Sequence, residues 1–267
     1  MSAALRLALL LILAGCIYLF LAQPYWFPVG ASLQAAAIDH QFKIAFWVLG
    51  GMFVAGHLVL VFVLAKKTHA GGKPLRGGWK LEVTWTVAIT AIFFWLHVSG
   101  NHLSLHAKTV MRVGSLQEIE VTGAQFEWYF RYPGADGTFG RTSAQKFARP
   151  DEGNPLGIDP ADPAGRDDIV SSSLVVPIGQ PVVLRLKAQD VIHSLFIPAM
   201  RFKQDAVPGM DIRTSFTPDK MGTYEIVCSQ LCGIGHYRMR AAMRVVTEEE
   251  FEVWLGNQQK AVAQGEQ

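Results

Sequence analysis

Residues 228–239 read CSQLCGIGHYRM, which sets Cys228 and Cys232 four apart, His236 four further on and Met239 three beyond that. The whole chain has three cysteines, so the pairing of two of them with a histidine and a methionine calls for a common chemistry. Three chemistries compete. In an oxidising compartment the two cysteines can close a disulfide, which leaves His236 and Met239 unexplained. Zinc can take both thiolates and His236, with a distant histidine such as His193 completing a tetrahedron, and Met239 is then idle. Copper uses every residue, because thiolate and thioether sulfur favour Cu(I) and imidazole suits both oxidation states. A mononuclear electron-transfer site needs one thiolate, whereas two thiolates at this spacing can bridge two copper ions.

Such a loop needs a rigid frame, and from residue 100 onward the sequence supplies short runs with strand character: LQEIEVTG, QFEWYFRY, LVVPIG, VVLRLKA, SLFIPA, IRTSFTP, GTYEIVC and MRAAMRVV. Short strands separated by Gly, Pro, Asp and Asn predict an all-β sandwich or barrel. Residues Pro133 to Asp168, rich in Pro, Gly and Asp, interrupt the pattern as a long insertion. Its acidic residues raise a calcium reading, but they lack EF-hand spacing and read better as a solvated loop. Thr247 and Glu250 form a capping box that opens a short C-terminal helix.

At 50% hydrophobic residues and a mean hydropathy of +0.23, the chain is too apolar for an ordinary soluble domain. Three stretches approach the roughly 20 apolar residues that a helix needs to span a bilayer: Ala3 to Ala22, Phe42 to Ala65 and Leu81 to Val98. Between the second and third, Lys66, Lys67, Lys73, Arg76 and Lys80 make a basic loop that belongs in the cytoplasm. Everything after Val98 then lies outside, in the periplasm of a bacterium. Leu13, Ala14, Gly15 and Cys16 match a lipobox, at which a lipoprotein signal is cut and the cysteine acylated. The apolar run continues through Ile17, Tyr18, Leu19 and Phe20, which favours a retained helix. A net charge of +2 with no long basic run gives no footprint for nucleic acid.

With the motif LEVTWT, the run QFEWYFRYPG, the stretch DVIHSLFIPAMRFKQDAVPGM, and GTYEIVC leading into CSQLCGIGHYRM, all in one order, the chain resembles the cytochrome c oxidase subunit II family of the haem-copper respiratory oxidases from about residue 38 onward. The resemblance implies a cupredoxin domain with a dinuclear CuA centre. Cys228 and Cys232 would bridge the two coppers, His193 and Met239 would complete one, and His236 with the backbone carbonyl of Gln230 the other. It also implies that electrons from cytochrome c, or from a cytochrome c domain, enter near Phe126 and Trp128, although family members usually carry Trp at the position of Phe126. Glu82 would mark a proton entrance into subunit I. Asp190 and Asp205 would face subunit I near its haem propionates. Where most relatives have Glu, Gln230 offers a neutral amide to a magnesium ion at the boundary with subunit I.

The expected organisation is an N-terminal apolar segment and linker (1–37), a transmembrane helix hairpin (38–100), a periplasmic cupredoxin domain (101–250) and a C-terminal helix and tail (251–267). The implied protein is a multi-pass subunit of the bacterial inner membrane, assembled with subunit I and further membrane subunits, that receives electrons and passes them to haem for oxygen reduction. A nitric oxide reductase subunit would look nearly the same. A copper-delivery protein would not need the paired helices, and a quinol oxidase subunit would lack the copper ligands.

Overall fold

The structure, a computed structural model, describes residues 3–22, 28–65, 78–110, 117–148 and 153–264. They fall into two compact units, Met1–Pro28 with Ala37–Leu105 and Val29–Ala36 with His106–Gln267.

The first unit is helical. It contains α1 (Ala3–Leu21), most of α2 (Leu33–Ala65) and most of α3 (Trp79–Val110). Among the described residues, two spans are long and apolar enough to cross a bilayer, Leu33–Val63 and Trp79–Asn101. The 19 residues of α1 reach about 28 Å at 1.5 Å per residue, marginal against a hydrocarbon core of about 30 Å. Phe20 of α1 stands edge-on to Trp47 of α2 at 4.8 Å and lies over Gly50, where any side chain would collide with its ring. Gln41 Nε2 donates to the Leu96 carbonyl at 3.2 Å and to Ser99 Oγ at 2.9 Å, joining α2 to α3. Lys66, Lys67, Lys73 and Arg76 of the basic loop lie outside the described residues, while Lys80 sits in the first turn of α3.

The second unit is a sandwich of two five-stranded sheets. One has the order β3 (Ile169–Ser171), β2 (Glu127–Tyr132), β1 (Gln117–Ala124), β5 (Val182–Ala188) and β8 (Ile212–Phe216). The other has β4 (Leu174–Pro177), β10 (Arg240–Val246), β9 (Gly222–Cys228), β6 (His193–Ile197) and β7 (Phe202–Ala206). Alternation builds the core. On β5, Val182, Leu184 and Leu186 point inward, with Val183, Arg185 and Lys187 between them partly exposed. Against them pack Trp128, Phe130, Leu195 and Ile226 from both sheets.

Eight strands correspond to the runs read from the sequence; β3 and β7 were not among them. Both lie at sheet edges, one with three residues and the other with the polar sequence FKQDA, so neither carries a period of two. Arg131, 1% exposed, fixes the insertion: it donates to Asp168, to the Gly140 carbonyl at 2.6 Å and to Glu120 at 3.3 Å. The acids considered for calcium are engaged within the insertion, Asp159 by Lys146 and Asp162 by Arg141. Helix α4 (Glu248–Gln264) opens on the reciprocal Thr247–Glu250 capping bonds at 3.0 and 3.2 Å and buries Phe251.

Residues 29–36 also belong to this unit. Ser32 caps α2 by accepting from the Ala35 N–H at 3.1 Å, and its hydroxyl donates to the Met200 carbonyl at 2.8 Å. The Ala31 N–H reaches the Ala199 carbonyl at 2.7 Å and the Leu33 N–H the Thr217 carbonyl at 3.0 Å. Helix α2 therefore begins nine residues before the apolar run at Phe42. The expected boundary at residue 100 falls inside α3, which continues to Val110.

Candidate metal centre

Three segments converge at one end of the sandwich: the start of β6 with His193, the end of β9 with Cys228, and the loop of residues 229–239 with Cys232, His236 and Met239. The loop closes because the Cys228 N–H bonds the Met239 carbonyl at 3.1 Å, and it is tied to β6 by the Ser229 N–H on the Ser194 carbonyl at 3.0 Å. His193, Cys228, Cys232 and Met239 are all buried, so the ligand atoms point inward.

Cys228 Sγ lies 4.0 Å from His193 Nδ1 and 3.2 Å from the Gln230 carbonyl. Cys232 Sγ lies 3.6 Å from His236 Nδ1 and 3.8 Å from Met239 Sδ. The two sulfurs are 3.9 Å apart, far beyond a disulfide bond of about 2.05 Å, and both cysteines are free. Donor atoms of His193, Cys228 and Cys232 fall within 4.8 Å of one another. Two thiols, two imidazoles, a thioether and a carbonyl gathered at one site, with His193, Cys228, Cys232 and Met239 buried, fit copper. Burial, reinforced by the neighbouring Cys228, pushes the Cys232 thiol up to about 11, so metal uptake must displace its proton.

Asp190 holds the first histidine. Its Oδ1 is 2.8 Å from His193 Nε2, which places the ring proton on Nε2 and turns the Nδ1 lone pair toward the sulfurs. Its Oδ2 accepts the Gln125 N–H at 2.7 Å. Burial works to raise the Asp190 carboxyl, but the bonds from His193, Gln125 and Val191 outweigh it and hold the group below the usual carboxylate range. This placement turns Asp190 toward the metal pocket. Asp205 accepts from Ser194 Oγ at 2.6 Å, across the β6–β7 pair.

Gln125 was missed by sequence reasoning. It and Phe126 form the two-residue tip of the β1–β2 hairpin, and Gln125 Nε2 donates to the Cys232 carbonyl at 2.5 Å. The half-buried Phe126 ring lies over Gly235 of the ligand loop so closely that a side chain there would overlap it. The Arg238 guanidinium stands 5.9 Å above the same ring. Trp128 is buried, edge-on to His193 at 5.9 Å, so it packs the ligand from inside while Phe126 reaches the surface. At Gly123 an added Cβ would come within 3.0 Å of both the His193 ring and Trp128. The Gln230 side chain is exposed, and Glu82 is exposed in the first turn of α3, in the helical unit.

Comparison with known proteins agrees with this frame. The family model described as cytochrome c oxidase subunit II, periplasmic domain, matches residues 118–246, a range that includes every ligand candidate. The alternative cytochrome c oxidase subunit 2 of Bradyrhizobium diazoefficiens is 33% identical over 270 residues, covering 97% of this chain and 93% of the relative. Cytochrome c oxidase subunit 2 of Thermostichus vulcanus is 33% identical over 292 residues, covering 88% and 79%. A crystal structure of the periplasmic domain of subunit II of cytochrome oxidase from Bradyrhizobium japonicum is 31% identical, covers 56% of this chain and 98% of its own, and has a TM-score of 0.41. A relative of one-third identity aligned along nearly its whole length settles the affiliation: the chain belongs to the cytochrome c oxidase subunit II family, the copper-bearing subunit of haem-copper oxidase complexes.

Proposed function

We propose that the chain receives single electrons from a cytochrome c or similar periplasmic donor at a dinuclear copper centre and passes them to haem in subunit I. The observation that carries this reading is the placement of the two sulfurs. Each thiol touches one donor expected on either copper: Cys228 has His193 and the Gln230 carbonyl, and Cys232 has Met239 and His236. A pair of bridging thiolates requires that arrangement. When bound, the copper pair supplies a one-electron redox site whose charge change is spread over two ions.

The chain's own residues keep the geometry fixed. Asp190 orients His193, Gln125 holds the Cys232 carbonyl, and Phe126 covers the loop where a donor reaches it. Ligands held this way move little between redox states, which keeps transfer fast at small driving force. In this reading the sandwich lies in the periplasm of a bacterium and Glu82 sits at the cytoplasmic start of α3 as a proton entrance. The Gln230 carbonyl serves copper, while its amide is a weak partner for a magnesium ion, which prefers carboxylate and water oxygens.

The test is metal quantitation on the purified full chain. Loading should give about two copper ions per chain and a mixed-valence spin signal shared over both nuclei. Cys228→Ser and Cys232→Ser should each abolish that signal, and Met239→Leu should keep both ions with an altered potential. One tightly held zinc would overturn the reading. Oxygen and nitric oxide consumption by the assembled complex distinguishes the two acceptors.

A further inference from the structure

Between Lys43 and Lys66 the sequence contains one ionisable side chain, His57, and it lies within the span Leu33–Val63 of α2. Its surroundings on the helix are apolar: Leu58, Val59, Leu60 and Phe62 are all exposed. An imidazole at that depth is costly unless its polar atoms are satisfied.

One of them is. His57 Nδ1 is 2.9 Å from the Phe53 carbonyl one turn earlier, an acceptor with no proton to give, so the ring proton sits on Nδ1. The ring also packs on Phe53, with centroids 4.0 Å apart at 39°. These two contacts fix the tautomer and the direction of the ring. Nε2 is then a lone-pair acceptor, and no described residue donates to it. A helix surface with one oriented acceptor in an apolar field is suited to a neighbour with one matching donor.

We propose that His57 Nε2 is an intramembrane docking point for another subunit of the oxidase complex, accepting a hydrogen bond from an O–H or N–H side chain on a membrane helix otherwise apolar at that level. A lipid acyl chain offers no donor. Water is scarce at that depth. The partner's residue is therefore of the Ser, Thr, Tyr, Trp or Asn kind. Leu60 and Val61, three and four residues on, lie on the same side of α2 as His57, whereas Val59 faces away.

The test uses the assembled complex. A photo-crosslinking residue at Leu60 should join the chain to a membrane peptide of another subunit containing such a donor, and the same residue at Val59 should not give that product. In detergent titration, His57→Leu should release the chain from the complex more readily by about threefold, in line with measured intramembrane hydrogen bonds. His57→Gln, which keeps an acceptor, should stay near the parent. Crosslinks from position 60 to lipid, or only within the chain, would overturn the proposal. So would unchanged retention of His57→Leu, or a Gln variant that falls as far as Leu, since the acceptor would then not be what matters.

Discussion

Asp190 Oδ1 lies 2.8 Å from His193 Nε2, while the opposite nitrogen of the ring faces the Cys228 sulfur. The carboxylate thus sets which nitrogen can bind metal. Asp190→Ala should lower copper affinity by about 10- to 100-fold, measured by competition with a copper chelator. Asp190→Asn, which can still accept the ring N–H through its amide oxygen, should lose less. Equal affinity in all three proteins would remove Asp190 from the positioning of His193.

Gly123 permits that same ring to lie against the β1 backbone. Gly123→Ala brings a methyl group to within 3.0 Å of His193 on one side and Trp128 on the other, and both are buried with little room to retreat. Overpacking of this kind costs about 1–3 kcal/mol. The expected outcome is a lower denaturation midpoint of the metal-free chain together with weaker copper binding.

The pH dependence follows from Cys232. Its thiol is raised to about 11 in the folded chain, above an unfolded value near 9. The folded state therefore holds a proton that the unfolded state has lost across that interval, and the metal-free chain should lose stability as pH rises from about 9 to 11. Copper removes the proton outright, so apparent affinity should increase with pH over the range below 11. Thiolate absorbance and chelator competition across that range check both statements.

Around Phe126 the charges largely cancel. Arg240 pairs with Glu225 at 2.7 Å, Glu127 accepts from Tyr129 at 2.8 Å, and Arg238 lies over the ring. Those four charges sum to zero, so a positively charged protein donor gains little long-range steering there. Its rate of copper reduction should change by less than about threefold between low and physiological salt, against the roughly 10- to 1000-fold gain of steered pairs. Phe126→Ala should slow reduction by the protein donor and leave reduction by ascorbate unchanged. Equal slowing of both would place the defect in the copper site itself.

The proposed ligand motif was legible because Cys228, Cys232, His236 and Met239 are close in sequence and each has a side chain with few other uses. Their supports were not. Asp190 precedes His193 by three residues on a bend with no helical or strand period, and Gln125 meets Cys232 across 107 residues. Neither relationship leaves a local pattern. The start of α2 was obscured for a different reason: hydropathy finds the apolar run at Phe42, but the helix begins at the Ser32–Ala35 cap, whose hydroxyl is held by the Met200 carbonyl far along the chain. Edge strands β3 and β7 lack alternation because one is too short and the other too polar to bury a face.

The bond from Ser32 to Met200 joins residues 168 apart. At a synthesis rate of about 5–20 residues per second, the ribosome needs roughly ten to thirty seconds to make the acceptor after the donor has emerged. The head of α2 thus spends that interval with only its local Ser32–Ala35 cap and without the tether to Met200. It acquires its final shape only once the region around Met200 and Thr217 has folded. The first turn of a membrane helix is in this way a late reporter on whether the copper-bearing sandwich was completed.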